Sequence, residues 1–244
     1  MRYNKDYYKE REDYGSAAVL SKLIVDLFHP KTAVDVGCAS GLLLSKLKAK
    51  NIKVVGIDGP WINKTMLRIP QENFVMKDIT KPIRMDKKFD ICICLETAEH
   101  IEEKYADILV TSLTNLSDVV FFSAAIPMQL GKHHVNLQWQ SYWASIFKKH
   151  QYQPIDCVRG RIWDDNSITF PYRQNTVVYV RKSSLKSNRR LRGLLGSQSP
   201  ILDVVHPVLF ISYARIVPEK VTKTLHHFMP SKLKERMSKA DYKN

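Results

Sequence analysis

Three aspartates at the ends of short apolar runs, and two histidine-bearing segments, are the groups in this 244-residue chain best placed to do chemistry. Asp35 lies in AVDVGCASG (residues 33–41), a hydrophobic run that breaks into a turn of small residues. Asp58 closes KVVGI, and Asp78 follows FVM. A turn of small residues lets a nucleotide-like ligand approach the backbone closely. The spacing is not GxGxxG, because Ala39 stands where a second glycine would and Gly41 follows after one residue. Spaced glycines place a pyrophosphate on a helix N-terminus, whereas this acidic, tight turn suits a ligand without phosphate. Asp58 can accept hydrogen bonds from both hydroxyls of a ribose, and Asp78 is placed to recognise an adenine amino group. The histidines are His100, preceded by Glu99, and His134, preceded by His133. Imidazole is the side chain that most readily takes a proton near neutral pH.

Positioning these groups requires strands that end at one edge, and the hydrophobic pattern supplies them. Strands are predicted over 33–36, 53–57, 74–76, 89–95 and 118–124, with helices over 15–29, 42–50, 102–116 and 141–150. A closing strand pair is predicted over 152–159 and 176–181. The alternation argues a parallel α/β sheet. Hydrophobic residues are 44% and charged residues 25%, proportions of a chain that folds around one sizeable core. Cys92 and Cys94 alternate with Ile91 and Ile93, the pattern of core packing. Cys38 sits in the turn, where a small side chain suffices. The four cysteines include no CxxC pair, and no metal ligand set is read. Asp164-Asp165 and Glu102-Glu103 could bind a divalent ion, but solvated surface is the preferred reading. The opening residues lack the apolar stretch of a secretory signal, and 201–217 is interrupted by Asp203, His206, Pro207 and Arg215. No membrane-spanning helix and a cytoplasmic location are expected.

The net charge of +14 suggests an anionic partner, but from Arg181 onward 14 Lys and Arg face 4 Asp and Glu, so the excess sits mainly in the tail. The expected organisation is a domain over 1–182 and a basic, partly helical extension over 183–244, with a linker-like stretch at 183–200. Ile201, Leu202, Val204, Val205, Val208, Leu209, Phe210 and Ile211 form an apolar patch. With the basic residues they resemble a surface that meets an anionic membrane or a partner protein; docking on the domain itself is the other reading.

The motifs resemble those of the class I S-adenosylmethionine-dependent methyltransferases. AVDVGCASG is similar to the family's glycine-rich first motif, VVGIDG to its acidic second, NFVMKDIT to its third, and FDICICLETAEHIEE to the motif after the fourth strand. The resemblance implies a Rossmann-like methyltransferase fold with a mostly parallel seven-stranded sheet flanked by helices, and S-adenosyl-L-methionine as cofactor. It implies that Asp35 and the backbone at Gly37, Cys38, Ala39 and Gly41 hold the amino acid end. Asp58 and Gly59 would lie at the ribose, Asp78 and Ile79 at the adenine, and Leu95 and Glu96 beside the sulfonium.

Methyl transfer from a sulfonium is an in-line displacement, and a hydroxyl nucleophile must also lose its proton. His134 is expected as the base, with His100 as the other candidate. Ser123 to Pro127, His134 to Asn136, Gln138-Trp139 and Tyr142-Trp143 resemble a subgroup associated with glycan and secondary-metabolite biosynthesis. That resemblance implies a saccharide or glycan acceptor, with Asn136, Trp139, Tyr142, Tyr172 and Arg173 at the substrate. Nucleic acid is disfavoured by where the charge sits. A methyltransferase of nucleic acid, protein or another small molecule, and a catalytically silent binding module, are the rivals. Tyr7, Tyr8 and Tyr14 are candidates for a lid over the cofactor.

Asp58→Ala is expected to weaken binding of S-adenosylhomocysteine by about 1.5–3 kcal/mol, the cost of losing charge-assisted hydrogen bonds. Calorimetry measures it, and preferential binding of NAD would overturn the cofactor reading.

Overall fold

The computed structural model of the protein describes residues 13–196 and 198–214. Helix α1 (Tyr14–Phe28) starts at Asp13, whose carboxylate accepts from the Ser16 amide at 2.9 Å, and ends at His29 in the left-handed conformation. Then follow β1 (Thr32–Val36), α2 (Leu42–Lys48), β2 (Lys53–Asp58), β3 (Phe74–Met76) and β4 (Ile91–Leu95). After α3 (Ala106–Leu116), β5 (Val119–Ser123) and α4 (Gln140–Lys149) come β6 (Tyr152–Ile155), α5 (Arg159–Ile162), α6 (Phe170–Asn175) and β7 (Val177–Arg181). Helices α7 (Lys182–Ser187), α8 (Arg189–Gly193) and α9 (Pro207–Ala214) complete the described chain.

The strands form one sheet in the order β3-β2-β1-β4-β5-β7-β6. Strands β1 to β5 pair in parallel, and β7 runs antiparallel to both neighbours. The seven-stranded, mostly parallel Rossmann-like sheet expected from the motifs is therefore present. Both faces are covered, which is why β4 and β5 read as continuous apolar runs. On one face Leu20, Ile24, Leu44, Leu47, Ile93 and Phe121 pack together. On the other Val34, Cys92, Cys94, Leu113, Phe122 and Trp143 do so. All four cysteines are free and buried, as core packing requires.

The boundaries depart from the sequence reading in several places. Strand β4 begins at Ile91, because Phe89 makes only an isolated bridge to Ser117. The helix expected over 102–116 splits into a 3₁₀ turn, Glu103–Tyr105, and α3. Strand β6 stops at Ile155, since Asp156 turns the chain and its carboxylate pairs with Arg159 at 2.8 Å. The linker expected over 183–200 carries α7 and α8, whose Leu185 and Leu191 are buried in the first core layer. A basic, polar composition concealed those two leucines. Contacts group the described residues into two compact units that meet at 204/205. Within the first unit, buried Arg159 donates to the carbonyls of Ile201 and Leu202, and Asp203 accepts from the Ser141 amide at 2.8 Å. The start of the apolar patch is thus anchored in that unit. In the second unit Phe210 and Ile211 of α9 are exposed, while Leu209 is buried. No helix among the described residues is long and apolar enough to cross a membrane.

The parallel register brings the carboxyl ends of β1, β2 and β4 to one edge, and there the chain adopts conformations that side chains resist. Gly37 has φ +83°, and a Cβ on it would fall 2.3 Å from the Thr97 hydroxyl. The turn after β1 and the turn after β4 are therefore in direct apposition. Gly37→Ala is expected to lower stability by about 2–4 kcal/mol, combining left-handed strain with overlap. Urea unfolding measures it, and an unchanged midpoint would show that the two turns can separate.

Candidate active site

Asp58 ends β2 and clasps the turn after β1. Its carboxylate accepts from the Ala39 amide at 2.8 Å and the Gly59 amide at 2.6 Å. Gly37 and Cys38 donate in turn to the Ile57 carbonyl. Ala39 takes φ +49°, so the residue that breaks the spaced-glycine pattern still adopts the conformation glycine would supply more cheaply. Gly41, at φ +76°, caps α2. Asp35 is buried beneath this turn, and burial, reinforced by the neighbouring Asp58 charge, pushes its carboxyl up to about 8. Burial raises Asp58 as well, against the amides and the Trp61 side chain that favour its charged form. Two acids held from water side by side suit a cationic ligand. S-adenosylmethionine, with an ammonium and a sulfonium, fits that cradle.

The residues expected at the adenine are less enclosed. Asp78 is exposed and bonds the hydroxyl and amide of Thr80, which hold it below the usual carboxylate range, while Ile79 is buried. Tyr14 is half exposed, with the Lys46 ammonium 5.8 Å from its ring centre. Tyr7 and Tyr8 lie outside the described residues.

Beyond β4 the chain makes its most unusual turn. Leu95 is partly buried. Glu96 has φ +46°, and its amide donates to both the carbonyl and the hydroxyl of Ser123. Its carboxylate accepts from Asn175 at 3.1 Å and Gln129 at 3.0 Å. Gln129 Oε1 accepts from Asn175 and Gln174, whose side chains also bond each other. Glu96 is thus tied into a buried amide network. The sequence reading gives Gln129, Gln174 and Asn175 no role; the segment after β5 brings Gln129 here, and the helix α6 before β7 brings Gln174 and Asn175.

Glu99 is fully buried and lies against Glu96, and burial followed by the Glu96 charge raises its carboxyl well above the usual range. Its backbone carbonyl accepts from the amides of Val135 at 2.9 Å and Asn136 at 3.1 Å. Those bonds bolt the His134 segment to the turn after β4. The His100 and His134 rings meet edge to face, 4.9 Å between centres. His100 Nδ1 engages the His133 carbonyl at 3.2 Å, and His134 Nδ1 the Gln129 carbonyl at 2.9 Å. A Cβ on Gly131 would fall 2.3 Å from His134 Nε2, so glycine there leaves room for the ring. The two histidines weighed against each other in the sequence belong to one cluster.

The residues expected at the substrate scatter. Asn136 is buried, its Oδ1 accepting from Gln138. Arg173 is buried too, and its guanidinium donates to the Trp163 carbonyl and to Asn166. Asn136 Nδ2 and Arg173 Nε are buried without a hydrogen-bond partner, so neither side chain is fully engaged. Trp139 precedes α4 and is partly exposed, Tyr142 packs edge-on against Trp143, and Trp143 is core. Tyr172 is partly buried at the start of the helix that carries Gln174, and its hydroxyl is raised by burial and by the Glu96 charge.

Residues 8–158 match the family described as a methyltransferase domain, and the chain belongs to that family. Among curated proteins, the "Ubiquinone biosynthesis O-methyltransferase" of Rickettsia bellii is 35% identical over 74 residues, 28% of this chain. The chain spans 31% of that relative's length. Among solved structures, DesVI of Streptomyces venezuelae has a TM-score of 0.54 at 14% identity, covering 73% of this chain and 96% of its own. The S-adenosylmethionine-bound CalS10 of Micromonospora echinaspora, an amino pentose methyltransferase, has a TM-score of 0.53 at 12% identity, with the same coverages. These likenesses show the fold.

Asp35 generates a pH prediction. Its ordinary value is 3.8 and its folded value about 8. Between the two the folded protein holds a proton that the unfolded chain has lost, so its contribution to stability falls as pH rises through that window. The ligand's α-ammonium, expected at Asp35, requires the carboxylate. Binding of S-adenosylhomocysteine at pH 7 is therefore expected to release roughly one proton, measured by calorimetry in buffers of different ionisation enthalpy. Asp35→Asn should abolish the release, and no release from the wild type would refute the assignment.

Proposed function

We propose that this protein transfers the methyl group of S-adenosylmethionine to a hydroxyl oxygen. The donor lies in the cradle of Asp35, Asp58 and the turn after β1. The carrying observation is the His100–His134 pair, 4.9 Å between ring centres, beside two carboxyl groups and joined to the cofactor turn through the Gly37–Thr97 apposition. A hydroxyl brought there meets groups able to draw off its proton. The oxygen's electron pair forms the new bond to carbon, the sulfur–carbon bond breaks, and the sulfonium becomes a neutral thioether. Holding oxygen, carbon and sulfur in line is the larger part of the task.

The acceptor read from the sequence is a sugar hydroxyl. A second reading, a hydroxyl on an apolar or aromatic molecule, is favoured by the side chains flanking His134. Met128, Leu130 and Val135 are largely exposed and Trp139 partly so, while Asn136 and Arg173, the polar groups expected to meet a sugar, are turned inward. The rickettsial relatives are named for an O-methylation in ubiquinone biosynthesis, in keeping with that second reading. A cytoplasmic location, and an anionic membrane or partner protein meeting residues 183–244, belong to the same proposal.

The test is a transfer assay with labelled cofactor against free sugars, nucleotide sugars, oligosaccharides, phenols and RNA. Label is expected on a hydroxyl acceptor; label on RNA alone would overturn the reading. His134→Ala is expected to lower turnover by about 10²–10⁴-fold with cofactor affinity nearly unchanged. Near wild-type turnover in His134→Ala, with loss in His100→Ala, would move the central role to His100.

A further inference from the structure

We propose that Glu99, His100 and His134 form a binding site for a divalent first-row metal ion, which presents the acceptor oxygen to the cofactor. The proposal rests on the hydroxyl-methylation reading and departs from the sequence analysis, which assigned no metal ligands. One ligand atom from each of the three residues lies within 4.8 Å of the other two. Metal bonds of about 2.0–2.2 Å place ligand atoms roughly 3–4 Å apart, so an ion has to draw the three together by only about an ångström.

A second observation points the same way. Glu99 is fully buried, and neither carboxylate oxygen makes a hydrogen bond of ordinary length and angle. Its nearest polar company is the Glu96 carboxyl and the amides of Glu99 and Ala125. A buried carboxyl without firm partners is costly unless it binds a cation or keeps a proton. Glu96, by contrast, is held by two amide side chains, so Glu99 is the carboxyl left to take an ion. The cluster is also built like a metal site beyond its ligands. Each imidazole has a backbone carbonyl at Nδ1, the arrangement that orients metal-bound histidines. The Glu99 carbonyl accepts two amides from the His134 segment, which sets the spacing of the ligands before any ion arrives.

Two imidazoles and one carboxylate are a ligand set that suits zinc or manganese and leaves a coordination position open. In that position a hydroxyl oxygen would be polarised and its proton released to water, with the imidazoles holding the ion. An acceptor with a second oxygen next to the first would bind through both.

The experiment uses the full chain after chelation and dialysis. Mn²⁺ is titrated in by electron paramagnetic resonance of the free ion, with Zn²⁺ as competitor, and S-adenosylhomocysteine binding reports the fold of each variant. One Mn²⁺ per chain is expected, displaced by Zn²⁺, with affinity about 10–100-fold or more lower in Glu99→Gln and His134→Ala. Chelation should abolish transfer and Mn²⁺ should restore it. Equal Mn²⁺ affinity in wild type and Glu99→Gln, or no binding at all, would overturn the metal site. If transfer then persisted in the chelated enzyme, hydroxyl methylation would stand without the ion. Metal binding at these residues with no transfer to any hydroxyl acceptor would leave the ion site and overturn its role in presenting an acceptor.

Discussion

Four carboxyl groups, Asp35, Asp58, Glu96 and Glu99, are gathered with little access to water at the edge where β1, β2 and β4 end. Removing a carboxylate from water is expensive, and each group meets the expense differently. Asp58 accepts backbone amides and so closes the turn after β1. Glu96 draws in Gln129 and Asn175. Asp35 and Glu99 have less local compensation, and they are the two whose charged forms would gain most from a cation. S-adenosylmethionine, held there as the motif resemblance implies, would answer the first of these demands.

This constraint also explains the strained backbone. Gly37, Ala39 and Glu96 all take positive φ within the two turns that oppose each other across the sheet edge. The surrounding sheet, covered on both faces, is what holds such conformations in place. Strain, burial and charge therefore coincide at one place, as expected where function sets the conformation in place of stability alone.

The acceptor side is assembled from farther along the chain. Val135 and Asn136 bond the Glu99 carbonyl, Gly131 makes room for His134, and α6 delivers Gln174 and Asn175 to the Glu96 network. Segments after β5 and before β7 thus converge because β7 inserts antiparallel beside β5, which returns the chain to the edge that β4 has just left. The apolar side chains exposed around His134 lie on the same segment.

The sequence by itself determined the α/β class, the strand-end positions of Asp35 and Asp58 and the core role of Cys92 and Cys94, because hydrophobic periodicity and small-residue turns are local signals. Resemblance of four ordered motifs supplied the methyltransferase class. Both histidines were also marked by their residue type, as alternatives. That they adjoin, that Glu99 lies buried beneath them, and that Asn136 and Arg173 face inward were decided only by tertiary structure. So were the helices at 182–193, where two buried leucines outweigh a basic composition. Which atoms share a site depends on how loops 30 or more residues apart return to one sheet edge. Burial, which shifts a carboxyl by several kcal/mol of ionisation cost in round terms, about 1.4 kcal/mol per pKa unit, is a property of that packed edge and of no single residue.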